Sequence, residues 1–310
     1  MNKIKSQKHR KLFCGIVPAL YTAYRRDGSV NYAETARLAE WLAGKGAAGF
    51  YLCGSTGEGL FLSSEERRRI VETVSHTVGK HVPLMVHVGT MATRDAIELA
   101  RHAADQRGVV AISSLAPQYY GYTIDDEIAH LSAIATATDK PFFPYLFQAG
   151  VAKYGTRGLI AAFSQIPQMG GIKAFVQDLM VHQTLLMEGP AHWEILHGYD
   201  ECLAPALTLP GIDGAIGSTY NIVPEIVMAI YQASRTGEFA KAARLHRHYM
   251  NYFLGFNMTK TLSLGRHFLI ERGFAMGAPR APLMPPTADM IKAAKRAHRA
   301  AGFDIQRGGM

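Results

Sequence analysis

The chain has 310 residues, 48% of them apolar and 19% charged, with a formal charge of +8. That balance excludes a disordered or collagen-like chain, and no apolar run approaches the roughly 20 residues that span a bilayer. Three widely spaced cysteines, Cys14, Cys53 and Cys202, offer neither a disulfide framework nor a zinc spacing and fit a reducing cytoplasm.

Residues 1–11 form a basic tail holding Lys3, Lys5, Lys8, Arg10 and Lys11 and no acid. A frayed, solvated terminus accounts for it, and no aromatic-and-basic stripe elsewhere supports nucleic-acid binding. The following Leu12–Leu20 stretch mimics the apolar part of a signal peptide, but Pro18 interrupts it and Arg25-Arg26-Asp27-Gly28 follows as a turn. A first buried strand explains the same residues.

Short apolar runs then alternate with helical patterns. The strand runs are Cys14–Leu20, Gly49–Cys53, Pro83–Val88, Val109–Ser113, Phe142–Leu146, Gly171–Ala174, Trp193–Leu196 and Gly214–Gly217. Each is too short for a helix, and most are bounded by Gly or Pro. Asn31 with Glu34, Ser63 with Glu66 and Thr123 with Asp126 read as capping boxes that start helices. Further helices are expected over Thr93–Gln106, Thr156–Ser164, Leu179–Met187, Glu201–Leu209 and Pro224–Ser234. Eight strands alternating with eight helices predict parallel βαβ units closed into a (β/α)8 TIM barrel over residues 12–236. No GxGxxG turn follows the first strand, as an open doubly wound sheet would normally show. Beyond Thr236-Gly237 only helical patterns remain, near 238–256, 259–271 and 287–301, so residues 237–310 read as a three-helix extension. His246 and His248 lie two apart on one of these helices, a poor spacing for a metal pair.

In such a barrel the reactive groups gather at the C-terminal ends of the strands. Gly54-Ser55-Thr56-Gly57-Glu58-Gly59 follows the second strand. Its glycines and hydroxyls suit a carboxylate or a phosphate, and they also suit an ordinary surface turn. Tyr119 and Tyr120 follow the fourth strand, and Tyr145 ends the fifth. Lys173 sits inside the apolar sixth strand. Burial lowers a lysine's pKa, and a neutral amine attacks a carbonyl to form a Schiff base; the alternative is a lysine that reaches out at the rim. Gly198-Tyr199-Asp200-Glu201 and Gly217-Ser218 end the last two strands, where they suit a polyhydroxylated ligand or cap the next helices. Only His87 and His197 lie near strand ends, too few to suggest a zinc aldolase, so no metal or cofactor is expected.

Together these residues resemble the N-acetylneuraminate lyase/dihydrodipicolinate synthase family of class I aldolases. Gly54–Glu58 is similar to its carboxylate-binding loop, and Gly171-Ile172-Lys173 to its Schiff-base strand. Tyr145 stands where that family keeps its catalytic tyrosine. Gly198–Glu201 and Gly214–Asn221 are most similar to the sialic acid lyase branch, and Leu146–Val151 lacks the arginine of the synthase branch. The resemblance implies pyruvate release from N-acetylneuraminate or a related 2-keto-3-deoxy sugar acid, leaving an aldehyde sugar. It assigns Lys173, Tyr145 and Tyr119 to catalysis. It assigns Ser55, Thr56, Gly198, Asp200, Glu201, Gly217, Ser218 and the position of Phe175 to substrate binding. It also implies a homotetramer in which Tyr119 reaches a neighbour's site. Phe175 departs from the branch, which has Thr or Ser there, and Gln148 stands where a proline is usual. A related aldolase or dehydratase, or a barrel that only binds ligand, are the alternatives.

Overall fold

The computed structural model describes residues 11–254 and 261–309. Residues 1–10 of the basic tail lie outside that range. Lys11 does not belong to a free tail: its ammonium pairs with Asp213 and donates to the Gly211 carbonyl at 3.1 Å.

Eight parallel strands form the sheet: β1 (Gly15–Pro18), β2 (Phe50–Leu52), β3 (Leu84–His87), β4 (Val109–Leu115), β5 (Phe142–Phe147), β6 (Gly171–Phe175), β7 (Glu194–His197) and β8 (Gly214–Gly217). From β2 to β8 each strand pairs with its sequence neighbour, and β1 pairs with β8. The ring closes between β1 and β2, where Ala48 N–H donates to Ile16 O at 2.8 Å and Leu20 N–H to Tyr51 O at 3.0 Å. This is a TIM barrel. Its inside is packed by Phe13, Val17, Tyr51, Met85, Phe143, Leu196 and Ile216, so the lower barrel is a core and not a pore. The buried carboxylate of Glu194 closes the bottom by accepting the backbone N–H groups of Leu12 and Phe13.

The helices between strands are α1 (Tyr32–Gly44), α2 (Ser64–Val78), α3 (Thr93–Ala104), α4 (Ile124–Ala135), α5 (Gln148–Phe163), α6 (Leu179–Glu188), α7 (Leu203–Leu207) and α8 (Pro224–Arg235). Full capping boxes form at Ser63/Glu66 and Thr123/Asp126. At Asn31 only half forms. The Asn31 side chain accepts from Glu34 N–H, but the Glu34 carboxylate is drawn off by Arg37 and by Ala275 N–H. The helix expected over Thr156–Ser164 begins at Gln148 instead, and Gly155 (φ 68°) breaks it in the middle. The helix expected over Glu201–Leu209 shrinks to α7 because Asp200–Cys202 forms a single tight 3-10 turn. Past the barrel come α9 (Phe239–Tyr249), α10 (Thr261–Glu271) and α11 (Ala288–Ala300). No helix among the described residues is long and apolar enough to cross a membrane.

Candidate active site

Lys173 lies on β6 with its side chain buried inside the barrel. Its Nζ stands 3.8 Å from the ring centres of both Tyr51 and Tyr145. Burial drives the ammonium's pKa down to about 7, opposed only in part by the charge of Asp200. About half of the amine is therefore neutral at neutral pH, the form that attacks carbonyls. Tyr145 is its lateral neighbour because β5 and β6 pair in that register. Burial raises the Tyr145 phenol, while a hydrogen bond with the Ser55 hydroxyl opposes the rise. The Tyr51 hydroxyl is 3.0 Å from Ser113 Oγ, which fixes the other ring beside the lysine. Tyr51 was not legible as a site residue, because it lies in an apolar run and reads as core.

The Gly54–Gly59 loop crosses the top of β2. Cys53 (φ 57°) and Glu58 (φ 58°) both adopt left-handed backbone, which costs a non-glycine residue energy. Gly59 is obligatory there, since a Cβ would sit 1.8 Å from the Cys53 carbonyl oxygen. The strained loop is held from outside the barrel. Buried Glu58 pairs with buried Arg266 of α10 and accepts the backbone N–H of Arg280 at 2.8 Å. Arg266 also donates to the carbonyls of Thr22 and Met276 at 2.9 and 2.7 Å. Breaking one half of such a buried pair strands the other charge. Arg266→Met is expected to lower stability by about 3–5 kcal/mol in urea melts. The Arg266→Met/Glu58→Gln double variant should recover part of that loss, since no charge is then left alone.

On the far wall, Asp200 Oδ2 accepts from Thr219 N–H at 2.8 Å, Thr219 Oγ1 at 2.6 Å and Ser218 Oγ at 3.3 Å. Burial raises the Asp200 pKa against these bonds. Gly217 leaves room for this arrangement; a Cβ there would lie 2.1 Å from Asp200 Oδ1. Glu201 is raised to about 7, first by burial and then by the charge of Asp200. His246 supports this turn from α9, with Nε2 3.0 Å from the Glu201 carbonyl. His197 Nε2 is 2.6 Å from the Tyr199 carbonyl, and its Nδ1 is 3.0 Å from His182 Nε2. Burial holds His197 down to about 3, so it is a neutral strut under the β7 end. His87 is likewise buried, with Nε2 accepting the Leu115 N–H at 3.3 Å.

A cavity of about 290 Å³ joins these groups: Ser55, Thr56, Tyr145, Lys173, Phe175, Gly198, Asp200, Glu201, Gly217 and Ser218 all line it. Tyr119 does not join them. It is 89% exposed, has a left-handed backbone (φ 89°), and borders a neighbouring cleft with Tyr120 and Lys153 that meets the first at Tyr145 and Phe147. No cluster of three or more His, Cys, Asp or Glu placed to hold a metal occurs among the described residues.

Residues 12–301 match the model of the dihydrodipicolinate synthetase family. The chain belongs to that family. A Danio rerio N-acetylneuraminate lyase is 32% identical over 307 residues, covering 94% of this chain and 98% of the relative. The structure of N-acetylneuraminate lyase (sialic acid aldolase) from Aliivibrio salmonicida superposes with a TM-score of 0.86 at 28% identity, covering 96% and 99% of the two chains. A prophage protein of the dihydrodipicolinic acid synthase family from E. coli K12, in complex with pyruvate, gives a TM-score of 0.83 at 26% identity, covering 94% and 99%. Membership in the dihydrodipicolinate synthetase family, with these relatives, makes the chain an enzyme of the aldolase class, a carbon–carbon lyase. A barrel that only binds ligand is thereby set aside.

Proposed function

We propose that this enzyme is a pyruvate-dependent class I aldolase working through a Schiff base on Lys173, and that it cleaves N-acetylneuraminate or a related 2-keto-3-deoxy sugar acid. The observation that carries the reading is the buried lysine head group held between two tyrosine rings with a pKa of about 7. The relatives named as N-acetylneuraminate lyases and the pyruvate complex support it further.

Ser55 and Thr56, with the loop N–H groups, hold the substrate carboxylate. Lys173 attacks the C2 ketone and water leaves, giving an imine. The C4 hydroxyl then gives up its proton as the C3–C4 pair moves into the imine. Tyr145 takes that proton. Its phenol is held protonated by burial, so it is a poor resting base. It therefore passes its own proton on, to the substrate carboxylate, as it receives the new one. Such a positioned relay contributes roughly 10²–10⁴-fold. Asp200, Glu201 and Ser218 read the aldehyde half, backed by the Gly198 and Gly217 backbone. The chemistry needs no cofactor.

The test is incubation with pyruvate, borohydride reduction and peptide mass mapping. An adduct on Lys173 is expected; none from folded protein would overturn the reading. The rate of adduct formation should climb about tenfold per pH unit below a pH of about 7 and then level off, because only the neutral amine reacts. An ordinary lysine, with a value of 10.5, would still be climbing well above that point.

We also propose a homotetramer built from tight dimers, in which Tyr119 serves a neighbouring subunit. Its exposure and its absence from the lining of the cavity around Lys173 support this. A monomer in sedimentation would overturn it. The unpaired Cys14, Cys53 and Cys202 favour a cytoplasmic setting. A second reading keeps the imine and changes the substrate to another keto acid, through an aldolase or a dehydratase reaction. The phenyl ring of Phe175 on the cavity wall favours it.

A further inference from the structure

Above the lysine the cavity wall is aromatic. Residues two apart on a strand face the same way. β5 and β6 pair Tyr145 with Lys173 and, one layer higher, Phe147 with Phe175. The Phe147 and Phe175 ring centres are 5.6 Å apart, and Tyr199 extends the surface at 5.0 Å from Phe175. All three rings are half-buried and line the cavity, as does Leu262 of α10. Asp200, Glu201, Ser218 and Thr261 supply the polar side chains at this end of the cavity. Asp200 Oδ2 already accepts three hydrogen bonds from Ser218 and Thr219. Glu201 differs, since its Oε1 is buried with no partner.

The geometry points to an aldehyde half with one apolar, ring-sized face and one hydrogen-bonding edge, in place of a chain hydroxylated on both sides. This inference rests on the Lys173 imine reading and, of the two substrates proposed above, develops the second, a keto acid whose aldehyde half is not a sugar. A free aldose reacts in its open-chain form, with hydroxyls along both sides. Those turned toward Phe147 and Phe175 would leave water and meet only ring carbon. An aryl or similarly flat apolar group loses nothing there and gains ring contact. Its polar edge then meets the Glu201 carboxyl.

In the synthetic direction the pyruvate imine loses a C3 proton to become an enamine. C3 attacks the aldehyde carbon and forms the C3–C4 bond. The carbonyl pair moves onto oxygen, which takes the Tyr145 proton, and the phenol recovers the proton released from C3. Water adds at C2, the lysine leaves, and a 4-hydroxy-2-keto acid is released. Nothing is oxidised or reduced.

The experiment measures pyruvate condensation with 3-hydroxybenzaldehyde and with N-acetylmannosamine, in the wild-type protein and in Phe175→Thr. The ratio of the two kcat/KM values is read within each protein, so unfolded material cancels. The wild type should favour the aromatic aldehyde by about tenfold or more, and Phe175→Thr should move the ratio toward the sugar by a similar factor. Borohydride trapping of pyruvate on the wild type runs beside it. An adduct with a ratio that favours the sugar, or that Phe175→Thr leaves unmoved, overturns this inference and spares the imine. No adduct on Lys173 overturns both.

Discussion

Lys173→Met is expected to lose roughly 10⁴-fold or more in kcat, the scale that follows removal of a covalent nucleophile, and to give no borohydride adduct. The variant should also be more stable than the wild type. Folding lowers the lysine's pKa from 10.5 to about 7, so the unfolded chain binds the proton more tightly. That difference opposes folding. It acts in full below a pH of about 7 and fades as the pH rises toward 10.5. Methionine fills similar volume without charge. Its thermal midpoint should exceed that of the wild type, by more in mildly acidic buffer than near pH 10. A variant that is inactive yet less stable at every pH would mean the lysine is not buried at a cost. Activity near wild type would end the imine reading.

Tyr145→Phe is expected to lower kcat by roughly 10²–10⁴-fold, the scale of one positioned proton relay. The end-point yield of the pyruvate adduct should survive, because the lysine and its carboxylate loop remain. That split matters. The phenol packs against Phe147 at a 4.3 Å ring separation, so a purely structural role would lower both readouts together. Ser55 should then lose the partner it has in the Tyr145 hydroxyl. Ser55→Ala is the natural companion, with a smaller loss of the same kind.

The eight strands were legible because a strand buried on both faces must be apolar throughout, and β/α punctuation by Gly and Pro marks its ends. Lys173 was legible for the complementary reason: a lysine has no place in such a run unless it is used. The tight turn after β2 was legible through Gly54, Gly57 and Gly59, whereas its left-handed residues, Cys53 and Glu58, carried no such signal. What stayed hidden depended on distant partners. Glu34 looks like half of a capping box until Arg37 and Ala275 claim its carboxylate. Gly155 breaks the pattern of α5 near its middle, so the sequence showed only the second half of that helix. Tyr51 and Tyr199 carry no polar signal that separates them from core or turn. Arg266 reads as one more basic residue on an amphipathic helix, because the acid that needs it is 208 positions away.

That separation has a bearing on how the enzyme comes into being on the ribosome. Synthesis runs from the N-terminus, and the strained turn around Glu58 is among the first loops to leave the exit tunnel. Its counter-ion arrives only when residue 266 does. Until then a nascent chain holds a carboxylate that has no cation to go under cover with, and the mouth over the lysine stays unset. A premature stop after the eighth strand would leave every strand of the ring in place, yet leave buried Glu58 without Arg266 and the Gly54–Gly59 loop without its support from α10. The Gly54–Gly59 loop thus gains its buried ion pair only once translation has passed residue 266.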